Sequence, residues 1–262
     1  MPDASRAVVI TASESCTVVV PCYNEAARFR AAPFAEFLAA PENSSVKLLF
    51  VNDGSRDNTL AVLEAFRAEH PDRVSVYDQQ PNRGKAEAVR NGMLLIIASG
   101  EAQVTGFWDA DLATPLAQIT DFLRLLDTRP EVNMVFGARV RLLGRAIHRQ
   151  PLRHYLGRCF ATVVSILLKM PIYDTQCGAK LFRITPELSR VLAEPFHSRW
   201  IFDVEILARC IQLHGGDARP VAHEIYECPL PEWTDVAGSK VSSTDFLRAF
   251  GELATIYRRH LS

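Results

Sequence analysis

The sequence has no apolar run long enough to cross a membrane. Its best stretch, residues 161–168, is far shorter than the roughly 20 residues that a membrane-spanning helix needs. The first residues include Asp3 and Glu14 and lack the apolar centre of a signal peptide. We therefore expect a cytoplasmic protein without a membrane-spanning helix.

Paired cysteines and an excess of one charge are also missing. The six cysteines form no C-x-x-C pair and have no histidine cluster nearby, which argues against structural zinc and a disulfide framework and fits a reducing compartment. The formal net charge is only −1. This balance, without a recognised binding module, argues against nucleic acid as a partner. Because 48% of the residues are hydrophobic, the chain is able to bury an ordinary core.

Two common nucleotide-binding motifs are absent. No G-x-G-x-x-G follows the first predicted strand, which argues against a dinucleotide oxidoreductase. No G-x-x-x-x-G-K-[ST] is found, which argues against a P-loop nucleotide hydrolase.

The sequence does contain a regular alternation of predicted strands and helices. Short apolar or β-branched runs predict strands at residues 17–20, 46–51, 74–77, 104–108 and 134–136. Helical spacing of apolar residues predicts helices at residues 29–38, 59–69, 85–97 and 116–126. This alternation predicts an α/β fold with one Rossmann-like, doubly wound, mostly parallel sheet flanked by helices.

Polar side chains follow these strands, and the carboxyl ends of parallel strands meet at one sheet edge, where ligands bind. We expect the following residues to converge there: Tyr23, Glu25, Asp53, Arg83, Lys85, Asp109 and Asp111.

The acidic pair Asp109 and Asp111 is the centre of this expectation. In an extended strand, residues i and i+2 point the same way, so the two carboxylates would lie on one face. Mg²⁺ binds one or two protein carboxylates and completes its coordination with water and phosphate oxygens. The alternative is a helix N-terminus, with Asp111 or Thr114 as the cap and Pro115 at the first helical position.

Asp53 and Lys85 each allow two interpretations. Asp53 is able to accept N–H or O–H bonds from a ligand, or it is a turn residue before Gly54. Lys85 is predicted at a helix N-terminus, where free amides and the helix dipole favour an anion. It is otherwise a solvated helix residue.

A basic segment lies in the second half of the chain. Residues 132–173 contain no Asp or Glu but several arginines, which indicates a local positive field and an anionic partner. Within it, residues 152–170 place arginines and apolar residues at helical spacing. Such a helix suits a membrane–water interface, or it is an ordinary core helix with a charged first half.

Four short motifs, at residues 20–25 (Val-Pro-Cys-Tyr-Asn-Glu), 51–55 (Val-Asn-Asp-Gly-Ser), 82–85 (Asn-Arg-Gly-Lys) and 109–111 (Asp-Ala-Asp), occur in this order. Together they resemble the family 2 glycosyltransferases of the GT-A fold. The resemblance implies a nucleotide-sugar donor whose diphosphate lies on Mg²⁺ or Mn²⁺ held by Asp109 and Asp111. It implies that the donor is bound by these residues: Pro21, Tyr23, Glu25, Asp53, Lys85 and Asp109.

Residues 174–183 (Asp-Thr-Gln-Cys-Gly-Ala-Lys-Leu-Phe-Arg) and 199–205 (Arg-Trp-Ile-Phe-Asp-Val-Glu) narrow this resemblance. With Trp233 and residues 238–240, they are most similar to dolichyl-phosphate β-glucosyltransferases within the polyprenyl-phosphate sugar synthases. The resemblance implies an inverting enzyme that transfers a hexose, preferably glucose from UDP-glucose, to a polyprenyl or dolichyl phosphate. Mannose synthases often have Gln where this chain has Ala113, which favours the glucosyl branch.

Residue roles on the acceptor side follow from the same resemblance. Arg139, Arg149, Arg153 and Lys240 are candidates to bind the acceptor phosphate, since arginine matches phosphate with two parallel hydrogen bonds. Asp203 and Glu205 are candidate catalytic residues beside Asp111; they would orient a ligand, or one would act as a base toward a hydroxyl acceptor. Helix capping is their alternative role.

The expected organisation is one domain over residues 1–262. Its parts are a nucleotide-sugar half (16–130), an acceptor half (131–242) and a C-terminal helix (243–262). Three alternatives remain: GDP-mannose as the donor, a hydroxyl group as the acceptor, and a nucleotide-binding module without catalysis. Peripheral contact with the cytoplasmic face of a membrane is a further expectation.

Overall fold

The computed structural model describes residues 14–141, 143–144, 146–148, 151–234 and 243–262. Its strands are β1 (Cys16–Cys22), β2 (Val46–Asp53), β3 (Val74–Gln79), β4 (Val104–Trp108), β5 (Met134–Ala138), β6 (Ala146–His148), β7 (Ala179–Arg183), β8 (Ile225–Pro229) and β9 (Glu232–Thr234). Its α-helices are α1 (Ala31–Ala39), α2 (Thr59–Glu69), α3 (Lys85–Ser99), α4 (Ala117–Thr128), α5 (Pro151–Leu168), α6 (Pro186–Ala193), α7 (Phe202–Leu213), α8 (Ala218–His223) and α9 (Ser243–Ile256). A 3₁₀ turn covers Pro41–Asn43, and a π-helical turn covers Tyr257–Leu261.

Seven strands form the central sheet in the order β3-β2-β1-β4-β7-β5-β8. Every neighbouring pair is parallel except the two pairs made by β7, which runs antiparallel to both β4 and β5. Strands β6 and β9 form a separate two-stranded sheet. The predicted α/β class and mostly parallel sheet are therefore confirmed. The antiparallel β7 was not predicted from the sequence.

Helices cover both faces of the sheet because the central strands are apolar on both sides. In β1, Val18 and Val20 pack into the core beside α1, α2 and α4, whereas Val19 packs into the core on the opposite face, beside α3 and α7. All three valines are fully buried. The sheet is thus held between two helical layers, and its carboxyl edge is fixed from both sides.

The element bounds differ from the sequence prediction at functionally important points. Helix α1 begins at Ala31 rather than near Phe29, whose amide instead donates to the Glu25 carbonyl at 2.7 Å. Helix α4 begins at Ala117 with Leu116 as its N-cap and no side-chain capping bond. Asp111 and Thr114 therefore do not cap α4. Among the described helices, none has both the length and the apolar character needed to cross a bilayer.

Candidate active site

A cavity of about 510 Å³ opens at the carboxyl edge of the sheet. Its wall includes residues that follow β1, β2 and β4, together with parts of α5, α9 and the loops before β7 and α7. This volume lies within the usual range for small-molecule sites. The cavity brings together these predicted site residues: Pro21, Tyr23, Glu25, Asp53, Lys85, Asp109, Asp111, Arg139 and Asp203.

The acidic pair lies in a tight turn and not in extended strand. Strand β4 ends at Trp108, and the Leu112 amide donates to the Asp109 carbonyl at 3.2 Å. Leu112 has a φ of 57°, in the left-handed region. The expectation that both carboxylates project from one face of a strand was wrong, since the chain reverses directly after β4. The turn nevertheless leaves both residues on the cavity wall.

Negative charge is concentrated at this turn. Burial and the neighbouring charge of Asp109 raise the pKa of Asp111, and a backbone bond from the Ala113 amide at 3.0 Å only partly offsets them. Lys85 lies across from the pair, with its Nζ 2.5 Å from Asp109 Oδ1. Burial disfavours the ammonium form of Lys85, but Asp109, Asp203 and Asp111 outweigh burial and raise its pKa.

The donor set of this turn fits a hard divalent cation. Asp109 and Asp111 offer carboxylate oxygens, the ligands that Mg²⁺ and Mn²⁺ prefer. A cation would also relieve the repulsion that raises the pKa of Asp111. The Lys85 ammonium, 2.5 Å from Asp109, shows that this wall of the cavity favours positive charge.

Gly178, in the loop before β7, allows this arrangement. The Asp109 amide donates to the Gly178 carbonyl at 2.9 Å. A Cβ atom at Gly178 would lie 1.9 Å from Asp109 Oδ2, so any side chain there would displace the carboxylate. The requirement for glycine at residue 178 was not recognised from the sequence, because the contact depends on β7 pairing with β4.

Asp53 is held by the protein's own donors. Its Oδ1 accepts from the Gln79 side chain at 2.6 Å and the Arg83 amide at 2.8 Å. Its Oδ2 accepts from the Asn82 side chain at 2.9 Å and the Gly84 amide at 2.8 Å. These four bonds use the lone pairs of a buried carboxylate. Asp53 therefore fixes the loop before α3, a role that the sequence did not indicate. Its contact with the donor stays a prediction.

Glu25 is ordered by local contacts at the end of β1. Its amide donates to Thr59 Oγ1 at 2.8 Å, and its carboxylate pairs with Arg28 at 2.5 Å. Arg28 itself also lines the cavity beside Tyr23 and Pro21. The segment after β1 thus contributes one ion pair and one aromatic ring to the cavity wall.

Asp203 lies at the start of α7 and pairs with a buried lysine. Lys180 is fully buried, and its Nζ lies 2.8 Å from Asp203 Oδ1. The same ammonium donates to the Cys177 carbonyl and lies 5.2 Å from the centre of the Phe107 ring. Burial raises the pKa of Asp203, although Lys180 pulls it down. Sequence reasoning missed Lys180, which stands within the motif at 174–183 without any charge pattern to mark it.

Glu205 does not line the cavity among the described residues, which corrects its predicted catalytic role. It is fully buried, with an oxygen 2.8 Å from the Ser198 amide and another 2.7 Å from Arg209. The pKa of the Glu205 carboxyl is below its usual value, because these bonds outweigh the opposing effect of burial. Asp203 and Glu205 are two residues apart on α7, a rotation of about 200° around the helix axis, so their side chains point to opposite sides of the helix.

The predicted phosphate-binding residues have different outcomes. Arg139 lines the cavity, but its guanidinium makes two 2.7 Å bonds to Asp174. Arg149 and Lys240 lie outside the described residues, as does the side chain of Arg153. Two arginines that the prediction did not single out, Arg158 and Arg199, line the cavity. The Arg158 guanidinium lies 3.6 Å from the centre of the Tyr173 ring.

Comparisons with known proteins agree with this geometry. Residues 17–187 match the family described as Glycosyl transferase family 2. A dolichyl-phosphate beta-glucosyltransferase of Trichomonas vaginalis is 31% identical over 92% of this chain and 70% of its own length. The dolichyl-phosphate beta-glucosyltransferase of Drosophila melanogaster is 32% identical over 94% of this chain and 75% of its own.

A solved structure shares the fold. Glucosyl-3-phosphoglycerate synthase from Mycobacterium tuberculosis, in complex with Mn²⁺, UDP-glucose and phosphoglyceric acid, superposes with a TM-score of 0.65. The alignment covers 98% of this chain and 85% of that chain at 15% identity.

Proposed function

This chain belongs to glycosyl transferase family 2, and from that premise we propose that it transfers a hexose from a nucleotide sugar to a polyprenyl or dolichyl phosphate. The observation that carries the proposal is the cavity itself. One wall presents the carboxylates of Asp109 and Asp111, and the same cavity contains Arg158 and Arg199. A divalent cation on the two carboxylates would attract the donor diphosphate, and the two arginines would attract the acceptor phosphate. Relatives that match over most of the chain carry the same activity in their names.

UDP-glucose is the donor that we propose. The relatives named above are glucosyltransferases, and the synthase with the same fold was solved with UDP-glucose and Mn²⁺. Residues 16–130 would bind this donor, with Tyr23 and Pro21 beside the nucleoside and Lys85 facing the diphosphate. Lys85 begins α3, whose free amides and dipole favour an anion.

Asp109 and Asp111 would hold Mg²⁺ or Mn²⁺. The ion would supply Lewis-acid stabilisation of the negative charge that develops on the departing nucleoside diphosphate. The protein positions the two carboxylates through the turn after β4 and through the bond between the Asp109 amide and the Gly178 carbonyl. These backbone contacts fix the positions of the two residues before the donor binds.

The acceptor phosphate requires placement and desolvation more than a base. A phosphate monoester has a second pKa of about 6 and is largely dianionic near neutral pH. One phosphate oxygen attacks the anomeric carbon and forms the new C–O bond. The bond from that carbon to the diphosphate oxygen breaks, its electron pair leaves with the nucleoside diphosphate, and the configuration inverts. Arg158 and Arg199 would hold the attacking phosphate in position.

Asp203 is proposed to orient the bound ligands. It is buried and fixed by Lys180 on the cavity wall, which suits a hydrogen-bond acceptor of defined position. A carboxylate anchored in this way would accept a hydrogen bond from a sugar hydroxyl and so orient the anomeric carbon toward the acceptor. We give Asp203 no proton-transfer role, since the phosphate acceptor is largely deprotonated before it attacks.

Peripheral contact with a membrane completes the proposal. One face of α5 exposes apolar side chains at helical spacing, among them Tyr155, Leu156 and Ile166, and Phe250 on α9 is also exposed. The ring of Phe160, on α5, lies 5.6 Å from the ring of Phe250 and joins the two helices beside the cavity. A lipid-linked phosphate would reach the cavity from this side.

The direct test is incubation of the protein with Mg²⁺, a polyprenyl phosphate and sugar-labelled UDP-glucose. We expect label in the lipid-soluble fraction and no such product without the divalent ion. A parallel reaction with GDP-mannose separates the two donors. Transfer to a hydroxyl acceptor, or nucleotide binding without turnover, would contradict the proposal.

A further inference from the structure

A second cluster of ligand-type side chains lies away from the cavity. It consists of His197, in the loop between α6 and α7, Glu205 on α7, and His260 in the C-terminal π-helical turn. One ligand atom from each lies within 4.8 Å of the others. None of the three lines the cavity among the described residues, and the proposed transfer reaction does not use them.

From this geometry we propose that His197, Glu205 and His260 form a binding site for Zn²⁺ that fastens the C-terminal turn to α7. Two imidazoles and one carboxylate are a donor set that zinc uses with an open fourth position. The partly exposed side chain of His197 gives water access to that position. This proposal does not depend on the activity proposed above.

The distances are close to those of a tetrahedral site. Zinc bonds of 2.0–2.2 Å to nitrogen and oxygen place neighbouring ligand atoms roughly 3.3–3.5 Å apart. Here His260 Nε2 lies 3.7 Å from Glu205 Oε1. His197 Nδ1 lies 3.0 Å from the same oxygen in a hydrogen bond that metal binding would replace, with the ring proton then on Nε2. The third side of the triangle, between the two imidazoles, would close by rotation of the His197 side chain, which is the most exposed of the three.

His260 is arranged as a ligand. Its Nδ1 lies 2.8 Å from Gln212 Oε1, an acceptor that places the ring proton on Nδ1 and leaves the lone pair on Nε2. That Nε2 is buried and has no hydrogen-bond partner among the described residues. A buried acceptor without a partner is costly, and a metal ion would satisfy it.

Arg209 limits the affinity of this site. It donates to Glu205 Oε1 at 2.7 Å, so a dication would bind beside an existing positive charge. The guanidinium is also tied to the carbonyls of Val191 and Pro195, and it therefore stays in place. Two nitrogen ligands would still favour Zn²⁺ over Mg²⁺, which prefers oxygen. We expect weaker binding than in zinc sites without a neighbouring cation.

The test is Zn²⁺ titration of the chelator-treated full chain by calorimetry. The parent protein carries Asp109→Asn and Asp111→Asn, so that the cavity carboxylates bind no ion. We expect one Zn²⁺ per chain, no binding of Mg²⁺, and at least a tenfold loss of Zn²⁺ affinity in both His260→Gln and His197→Gln. His70→Gln, at the end of α2 against Phe66, is the matched control and should bind like the parent.

A spectroscopic readout separates coordination from a structural role. Co²⁺ in a tetrahedral site gives intense visible absorption, which His197→Gln and His260→Gln should both abolish. Zn²⁺ should raise the melting temperature of the parent and leave that of the two variants unchanged. Because His197 is partly exposed, its variant keeps the test decisive if His260→Gln misfolds. Equal Zn²⁺ binding in parent and variants, or none in the parent, would overturn the proposal.

Discussion

Asp111 is the residue whose removal should separate catalysis from folding. It is half-buried on the cavity wall, and its described side-chain bond is to the nearby Ala113 amide. We expect Asp111→Ala to reduce sugar transfer by at least about 100-fold, as for loss of one stabilising group at a developing charge. The melting temperature should stay near that of the unsubstituted protein, because no core packing is lost. Lipid-soluble label and circular dichroism melting measure the two effects.

The matched control for Asp111 is Asp121→Ala on α4. Asp121 is also a partly exposed acid, but it pairs with the neighbouring Arg124 away from the cavity. This variant should keep full activity. Full activity in Asp111→Ala would refute the assignment of a metal ligand at this turn.

Lys180 should matter for stability as well as for activity. In Lys180→Met the carboxylate of Asp203 stays buried without its cation, which we expect to cost about 3–5 kcal/mol in the free energy of unfolding. The double variant with Asp203→Asn should recover part of this loss, because the uncompensated charge is gone. Urea unfolding of the single and double variants measures the coupling.

Transfer activity separates the role of Asp203 in the cavity from its contribution to stability. The double variant should fold and yet remain impaired in transfer, since Asp203 lies on the cavity wall. Equal stability of Lys180→Met and the unsubstituted protein would show that the ion pair contributes no net free energy to folding.

The loop before β7 acts through its backbone, and Gly178 is its sensitive position. Gly178→Ala should weaken Mn²⁺ binding by roughly 10- to 100-fold, as loss of a supporting contact does, because the added methyl group would displace Asp109. Isothermal titration with Mn²⁺ measures this. Gly251→Ala on α9 is the control; its added Cβ meets nothing within 4 Å, so binding should be unchanged and the helix slightly more stable.

Helix α5 supplies Arg158, one of the two arginines that we assign to the acceptor phosphate. Arg158→Ala should raise the KM for polyprenyl phosphate by at least about tenfold, since a charge-assisted bond is lost, and should leave the KM for UDP-glucose unchanged. Arg141→Ala tests the specificity of this effect. Arg141 belongs to the same acid-free segment but is exposed and does not line the cavity. Equal effects of the two substitutions would indicate a general field rather than a defined site.

The elements of the first half could be predicted because each has a local signal. The β-branched run of β1 and the apolar face of α2 need only the chain itself, and α2 covers Thr59–Glu69 as predicted. The turn after β4 could not be predicted this way. Its reversal depends on Leu112 adopting a positive φ and on Asp109 pairing with Gly178, which is 69 residues later in the sequence numbering.

The candidate site was predicted unevenly for the same reason. Residues between a strand and the end of the next helix's first turn, such as Asp109 after β4 and Lys85 at the start of α3, are placed on the cavity by the α/β topology alone. The direction of Glu205 and the pairing of Arg139 with Asp174 depend on tertiary packing in the second half. Sequence spacing does not show which of Asp203 and Glu205 faces the cavity, because both lie in the first turn of α7.

The molecule as a whole should bind membranes through α5. Ile166 is 70% exposed, and the surrounding acid-free segment favours anionic lipids. We expect the chain to float with anionic vesicles at low salt and to be released at high salt. Ile166→Asp should reduce flotation severalfold, whereas Leu95→Asp, an exposed apolar position on α3, should not. Equal flotation of the two variants would place the contact elsewhere.

Strand β7 has a consequence for how this chain is able to change over evolutionary time. It belongs to the second half of the sequence, yet it pairs with β4 of the first half. It carries the lysine beneath Asp203 and directly follows the glycine beside Asp109. The strands of each half stay together in the sheet, and the two halves meet where β7 pairs with β4. A hybrid that joins the first half of one homologue to the second half of another must preserve the register of β7 on β4, or donor specificity and acceptor specificity are lost together.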